Sequence, residues 1–171
     1  TLGLVGIGAI GREVAKRAQA FDMTVIASDP FVSEADGLAM GVEMVSLENL
    51  QKRADVISLH APAIEETANM VNGEFLARLK EGTMLINCAR AELVDHDALM
   101  QAVKERGIRV AVDVPPGEPK DKVGGYQHAM FELPGVYGTH HIGASTNQAQ
   151  DAVAEEVITI LKAFNENGKA L

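Results

Sequence analysis

The 171-residue chain has no tryptophan, and aromatics make up only 4% of it. A large all-β sandwich, which leans on aromatic and β-branched side chains, is disfavoured. Cysteine occurs once, at Cys88, so no internal disulfide can form and a reducing cytoplasmic setting is compatible. Cations are also short: 15 Lys and Arg stand against 24 Asp and Glu, a formal charge of −9. Wrapping a phosphate backbone or binding an anionic membrane surface takes clustered cations, so neither nucleic acid nor membrane is an expected partner. One small anion in a local positive pocket stays open. Long apolar runs are missing too. Leu2 to Ile10 is too short and too Gly-rich to span a bilayer, and it has no basic region before it to make it a signal peptide. His and Cys do not cluster with ligand spacing, so no metal site is expected.

What remains is ordinary globular material, with 47% hydrophobic and 23% charged residues and 16 glycines. The apolar stock is mostly Ala, Val, Ile, Leu and Met, which suits helices packed on a β-branched sheet. At about 150 residues per domain, one domain with a sizeable core is expected. Strand-like runs lie at 2–6, 23–27, 56–59, 84–87, 108–114 and, more weakly, 136–139. Helical segments alternate with them at 10–20, 34–40, 47–54, 72–80, 95–106 and 149–165. Strands apolar on both faces between amphipathic helices argue for an α/β fold, a doubly wound parallel sheet with helices on both sides. One irregular stretch, from Pro115 to Gly135, contains Pro116, Gly117, Pro119, Gly124, Gly125 and Pro134. A loop this long in a compact domain is usually functional or mobile.

Gly6-Ile7-Gly8-Ala9-Ile10-Gly11 fits G-x-G-x-x-G between a strand and a helix. Gly6 permits a tight turn, Gly8 lets a pyrophosphate approach the backbone, and Gly11 lets helix and strand pack closely. The N–H groups of the helix start, around Ala9 and Ile10, then face the phosphates. The second strand leads to Asp29, 18 residues after Gly11, against the about 20 expected of a ribose-binding acid. A carboxylate there accepts from both ribose hydroxyls and repels a 2′-phosphate, so NAD is expected over NADP.

Three further segments fall at predicted strand ends, where open α/β sheets bind ligands. They are Asn87-Cys88-Ala89-Arg90, Asp113-Val114-Pro115-Pro116-Gly117-Glu118-Pro119 and Thr139-His140-His141-Ile142-Gly143-Ala144-Ser145-Thr146. Taken in order after the glycine turn and Leu59-His60-Ala61-Pro62 with Thr67, they resemble the D-2-hydroxyacid dehydrogenase family, over its nucleotide-binding domain of Rossmann type. The tail, with Gln148-Ala149-Gln150, most resembles the branch that oxidises 3-phosphoglycerate in serine biosynthesis.

The resemblance implies that Arg90, Glu118 and His141 do the chemistry. An imidazole at His141 takes the hydroxyl proton as hydride leaves, a carboxylate at Glu118 favours the imidazolium, and the Arg90 guanidinium forks onto the substrate carboxylate. It also implies cofactor contacts at Pro62, Thr67, Cys88, Ala89, Arg90, Asp113, His141, Gly143 and Ala144. The family has Pro before its catalytic His, which puts His140 in that slot. It often has Gly after the Arg and an aromatic after Asp-Val, where this chain has Ala91 and Pro115. His60, His96 and His128 read more simply as structural or exposed, Thr67 equally well as a helix cap, and Cys88 as a small packing residue.

The expected activity is hydride transfer between NAD and a D-2-hydroxy acid or its 2-keto acid, with 3-phosphoglycerate first among substrates. A cytoplasmic homodimer formed through this domain is implied. The start at Thr1, directly in strand-like sequence, reads as a cut inside a longer protein, so the chain is expected to bind NAD with little turnover alone. A non-catalytic NAD-sensing module of corepressor type is the rival. Another Rossmann enzyme, a methyltransferase or flavoprotein, fits the three segments less well.

Overall fold

The computed structural model describes residues 1–118 and 125–168. Pro119 and Gly124 of the expected loop lie outside the described residues. The chain divides into two compact units, Thr1–His140 and His141–Leu171.

The first unit is built on seven parallel strands: β1 (Leu2–Val5), β2 (Val25–Ser28), β3 (Glu43–Met44), β4 (Val56–Leu59), β5 (Met84–Asn87), β6 (Arg109–Val112) and β7 (Val136–Gly138). Their order is β3-β2-β1-β4-β5-β6-β7. Helices α1 (Ala9–Ala20), α2 (Glu34–Ala39), α3 (Leu47–Arg53), α4 (Gly73–Ala77) and α5 (His96–Arg106) make the crossovers, with short 3-10 turns at Glu65–Thr67, Ala91–Leu93 and Ala129–Glu132. This is the doubly wound α/β arrangement that alternating strands and helices imply.

Period-2 alternation divides the core between the two faces of the sheet. Leu2 and Leu4 of β1 pack with Ala15, Ala18, Val25 and Ala27 under α1, while Val5 joins Leu50, Ile57, Leu59, Phe75 and Leu85 on the other side. Each fully buried Leu or Ile contributes about 1.5–3 kcal/mol. Helix starts are set by side chains: Ser33, Ser46, Asn72 and Asp95 each accept a backbone N–H from the first turn. Helix α5 ends on Gly107, whose φ of +63° is the left-handed conformation that glycine takes without strain.

Several boundaries differ from the sequence pattern. The strand read at 108–114 pairs only over Arg109–Val112, and the helix read at 72–80 is Gly73–Ala77, capped by Asn72 at its start and ending before Arg78. β3 has no counterpart in the pattern, since two residues, one of them Glu43, cannot show a period. The stretch 115–135 is not wholly irregular: Ala129–Glu132 forms a 3-10 turn that seats buried Met130 in the core.

In the second unit, helix α6 (Asn147–Asn167) starts at Thr146, whose hydroxyl accepts from the Ala149 N–H, and stops at left-handed Gly168. It begins two residues before the periodic stretch read at 149–165.

Candidate functional site

Chain direction places the site. From β1 the chain moves outward to β2 and β3, then returns so that β4 lies on the other side of β1. The crevice outside the carboxyl ends of β1 and β4 is therefore the topological switch point, where open α/β sheets take ligands. In register, Val5 of β1 faces Leu59 of β4, so the glycine turn and the segment His60-Ala61-Pro62 leave the sheet side by side.

The glycine turn is shaped by what surrounds it. Gly6 has φ +87°, and a Cβ there would lie 2.9 Å from the His60 carbonyl carbon. A Cβ on Gly11 would meet the Gly6 carbonyl oxygen at 2.7 Å. Gly8 differs: nothing lies within 4 Å of where its Cβ would stand. Gly8 is also the N-cap of α1, and no side chain caps that start. Open space therefore lies over the positive end of a 12-residue helix whose first turn, Ala9, Ile10 and Gly11, presents backbone N–H groups. Those features fit a diphosphate.

Asp29 follows β2 directly. Its Oδ2 accepts the Ile7 N–H at 2.8 Å and its Oδ1 accepts the Phe31 N–H at 2.9 Å. The carboxylate is thus pinned to the glycine turn at the place where a ribose-binding acid belongs. A polar cleft opens beside it, lined by Ser28, Met44 and Ser46 among others.

On the β4 side, His60 is half-buried, its Nε2 lies 3.0 Å from the Ser58 Oγ, and burial holds its pKa below the usual range. This is a packed imidazole against the glycine turn. Thr67 uses its hydroxyl locally: Oγ1 accepts the Ile64 N–H at 3.0 Å and donates to the Pro62 carbonyl at 2.6 Å. That closes the turn that presents exposed Pro62.

The other end of the crevice is made by side chains. At the end of β5, Asn87 is 1% exposed. Its Oδ1 accepts the Ala89 N–H at 3.0 Å and its Nδ2 donates to the Arg90 carbonyl at 2.8 Å. His96 adds a second brace, with Nε2 3.1 Å from the Ala91 carbonyl. A carbonyl only accepts, so Nε2 carries the hydrogen. Its Nδ1 is buried without a hydrogen-bond partner among the described residues. Protonating it is costly, and burial accordingly lowers the His96 pKa. These two braces fix the backbone on either side of Arg90, whose guanidinium is exposed and donates to the Ala89 carbonyl at 2.6 Å.

Asp113 stands just beyond β6 and is 8% exposed. The Thr139 hydroxyl donates to its Oδ1 at 2.5 Å. Cys88, Asp113 and Thr139 line one open cleft with Val112 and Gly138. Burial first, and then the charge of Asp113, push the Cys88 thiol up. Cys88 itself is exposed on the wall of that cleft rather than packed in the core. Glu118 is exposed, and its charge, after burial, helps raise the Tyr126 pKa. Tyr126 donates to the Pro116 carbonyl and stacks on His128, ring centroids 6.3 Å apart.

In the second unit His141 has φ +58°, an uncommon conformation for a residue with a side chain. Such strain concentrates at functional positions. Beyond it, the Ala144 carbonyl accepts from Gln150 Nε2 at 3.0 Å, and the Ser145 N–H donates to the Ile142 carbonyl at 2.9 Å. Gly143 lies within that turn.

The first unit thus brings Gly6, Gly8, Ala9, Ile10, Gly11 and Asp29 together at one end, and Cys88, Asp113 and Thr139 at the other. Sequence reasoning placed Asn87 and Thr139 only within strand-end segments and read His96 as structural or exposed, without the bonds that each makes. An Asn closing a strand and two residues of unremarkable type offer no spacing signal. Among the described residues no group of His, Cys, Asp and Glu can hold a metal, and no helix is long and apolar enough to cross a membrane.

Residues 1–143 match the family described as D-isomer specific 2-hydroxyacid dehydrogenase, NAD binding domain. The chain is 42% identical over 169 residues to D-3-phosphoglycerate dehydrogenase of Methanocaldococcus jannaschii, covering 95% of this chain and 31% of that protein. It is 42% identical to hydroxypyruvate reductase of Thermotoga maritima, covering 98% of this chain and 53% of that one. Among solved structures it resembles D-lactate dehydrogenase from Aquifex aeolicus complexed with NAD and lactic acid. That match has a TM-score of 0.82 and 35% identity, over 96% of this chain and 53% of the other. The chain therefore spans about a third to a half of the length of these relatives.

Proposed function

The chain belongs to the D-isomer-specific 2-hydroxyacid dehydrogenase family, as its NAD-binding domain, and on that premise we propose that it holds NAD for the oxidation of a D-2-hydroxy acid or the reverse reduction of a 2-keto acid. The observation that carries this reading is the glycine turn: open space over Gly8, an uncapped helix start behind it, and Asp29 bonded into the same bend.

The N–H groups of Ala9, Ile10 and Gly11 take the diphosphate, and Asp29 accepts from the ribose hydroxyls and turns away a 2′-phosphate. Pro62, Thr67 and Ala89 of the first unit and Gly143 and Ala144 of the second are the further candidate cofactor contacts. Asp113, beside Cys88, accepts from the carboxamide. Bound NAD supplies the hydride acceptor. Arg90 forks onto the substrate carboxylate and polarises the reacting carbonyl in the reducing direction. His141 accepts the hydroxyl proton at an imidazole nitrogen during oxidation and returns it during reduction, and Glu118 stabilises the imidazolium so formed.

Among substrates, 3-phosphoglycerate comes first, because several of the curated relatives are D-3-phosphoglycerate dehydrogenases. That would place the protein in serine biosynthesis. The hydroxypyruvate reductase match shows that a domain this similar also serves a protein with another name. We also propose that the 171 residues act as one dinucleotide-binding domain, that by themselves they bind NAD with little turnover, and that the working protein is a cytoplasmic homodimer. Titration of the chain with NAD and NADP tests cofactor binding. Steady-state assay of the longer protein carrying this segment, against a panel of D-2-hydroxy acids, tests the reaction. Failure to bind NAD contradicts the reading, and NAD binding without turnover on any acid contradicts its catalytic half.

A further inference from the structure

Thr139 follows β7 directly, and nothing above gives it a task beyond its bond to Asp113. Its backbone N–H donates to the Val112 carbonyl at 2.9 Å, which carries the β6–β7 pairing one residue past the strand. Its hydroxyl donates to Asp113 Oδ1 at 2.5 Å. A hydroxyl has a single hydrogen, and here it is spent on a carboxylate that is 8% exposed.

We propose that Thr139 is a positioning residue for Asp113, setting the torsion of its carboxylate so that it accepts from the carboxamide N–H of a nicotinamide ring. The inference rests on the reading of Asp113 as the carboxamide acceptor. Two features favour positioning over a merely structural bond. The main chain already ties Thr139 to β6 through Val112, so the hydroxyl is not needed to hold the strand end. Both side chains also line the same open cleft, with Cys88 on its wall. A carboxylate on a flexible torsion accepts from many directions; one held at Oδ1 presents a fixed plane, and that selects an N–H donor over a group without one.

The test measures the affinity of the chain for NAD, 3-acetylpyridine adenine dinucleotide and ADP-ribose. The acetyl analogue replaces the carboxamide NH2 by a methyl group, and ADP-ribose has no ring, so it reports whether the phosphate and ribose end is intact. The wild-type chain is expected to prefer NAD over the acetyl analogue. Thr139→Val, similar in shape but without the hydroxyl, lowers that preference about three- to tenfold, and Thr139→Ser restores it. Asp113→Ala removes the preference. If Asp113→Ala lowers the preference and Thr139→Val does not, the inference on Thr139 is overturned and the reading of Asp113 stands. An unchanged preference in Asp113→Ala overturns both. Parallel loss of ADP-ribose binding in Thr139→Val and Thr139→Ala marks Thr139 as structural and overturns the inference as well.

Discussion

The two ends of the crevice are made of different material. Around Gly6, Gly8 and Gly11 the groups proposed to recognise the cofactor are backbone amides, and the side chains matter mainly by being absent. Around Arg90 and Asp113 the groups proposed to recognise substrate and cofactor are side chains, with bonds from Asn87, His96 and Thr139 bracing their surroundings. A backbone-made site fails when something is added to it, whereas a side-chain-made site fails when something is removed or loses its brace.

The largest expected effect separates two glycines of the same turn. Gly6→Val drives a Cβ into the His60 main chain at a φ of +87°, and should cost folding stability on the order of 3 kcal/mol or more, along with NAD binding. Gly8→Val meets nothing within 4 Å, so stability should move by no more than about 1 kcal/mol while NAD affinity falls at least about a hundredfold. Urea unfolding alongside titration calorimetry reads both quantities, and equal stability losses in the two variants would erase the distinction.

At the other end, Arg90→Lys keeps the charge but loses the planar fork. In the longer protein kcat/KM should fall about a hundredfold or more, with NAD affinity of this chain within about twofold. Near-full turnover would remove Arg90 from its role. Asp29→Ala is a milder break of the first end. NAD should weaken about tenfold and the NAD/NADP gap should narrow, with about 1 kcal/mol of stability lost because the Ile7 and Phe31 N–H groups lose their acceptor. Unchanged cofactor preference would contradict the ribose contact.

The smallest effect concerns two half-buried imidazoles, one at each end. Burial holds His60 and His96 below the usual 6.5. As pH falls below about 6.5 the unfolded chain gains protons that the folded chain refuses, so stability is full above that value and declines on the acid side. Urea midpoints should fall between about pH 7.5 and about pH 5.5, and a double His60→Gln, His96→Gln variant should show a flatter profile. An identical slope in the variant would place the acid sensitivity elsewhere.

The same contrast governs how much was legible in the sequence. Glycine turn, strand end and acid follow one another at near-fixed spacing, so Gly6, Gly8, Gly11 and Asp29 could be picked out before any fold was known. The strands and most helices were legible as well, because both-face burial leaves continuous apolar runs such as Leu2–Val5. β3 was not, since two residues, one of them a Glu paired with Arg53, are too few to show a period. Thr139 was legible only as part of a strand-end segment, because its bond joins it to a residue 26 positions away. Asn87 and His96 act on carbonyls three and five positions distant, which composition cannot reveal. Thr67 was legible as a local cap, and the structure shows its hydroxyl engaged in that way.

Titration calorimetry of NAD into the chain, run beside the Gly8→Val variant, tests the central claim most directly. One NAD bound per wild-type chain, with binding lost in a variant of near-unchanged stability, is the predicted result. Absence of NAD uptake by the wild type, or equal uptake by the variant, would contradict it.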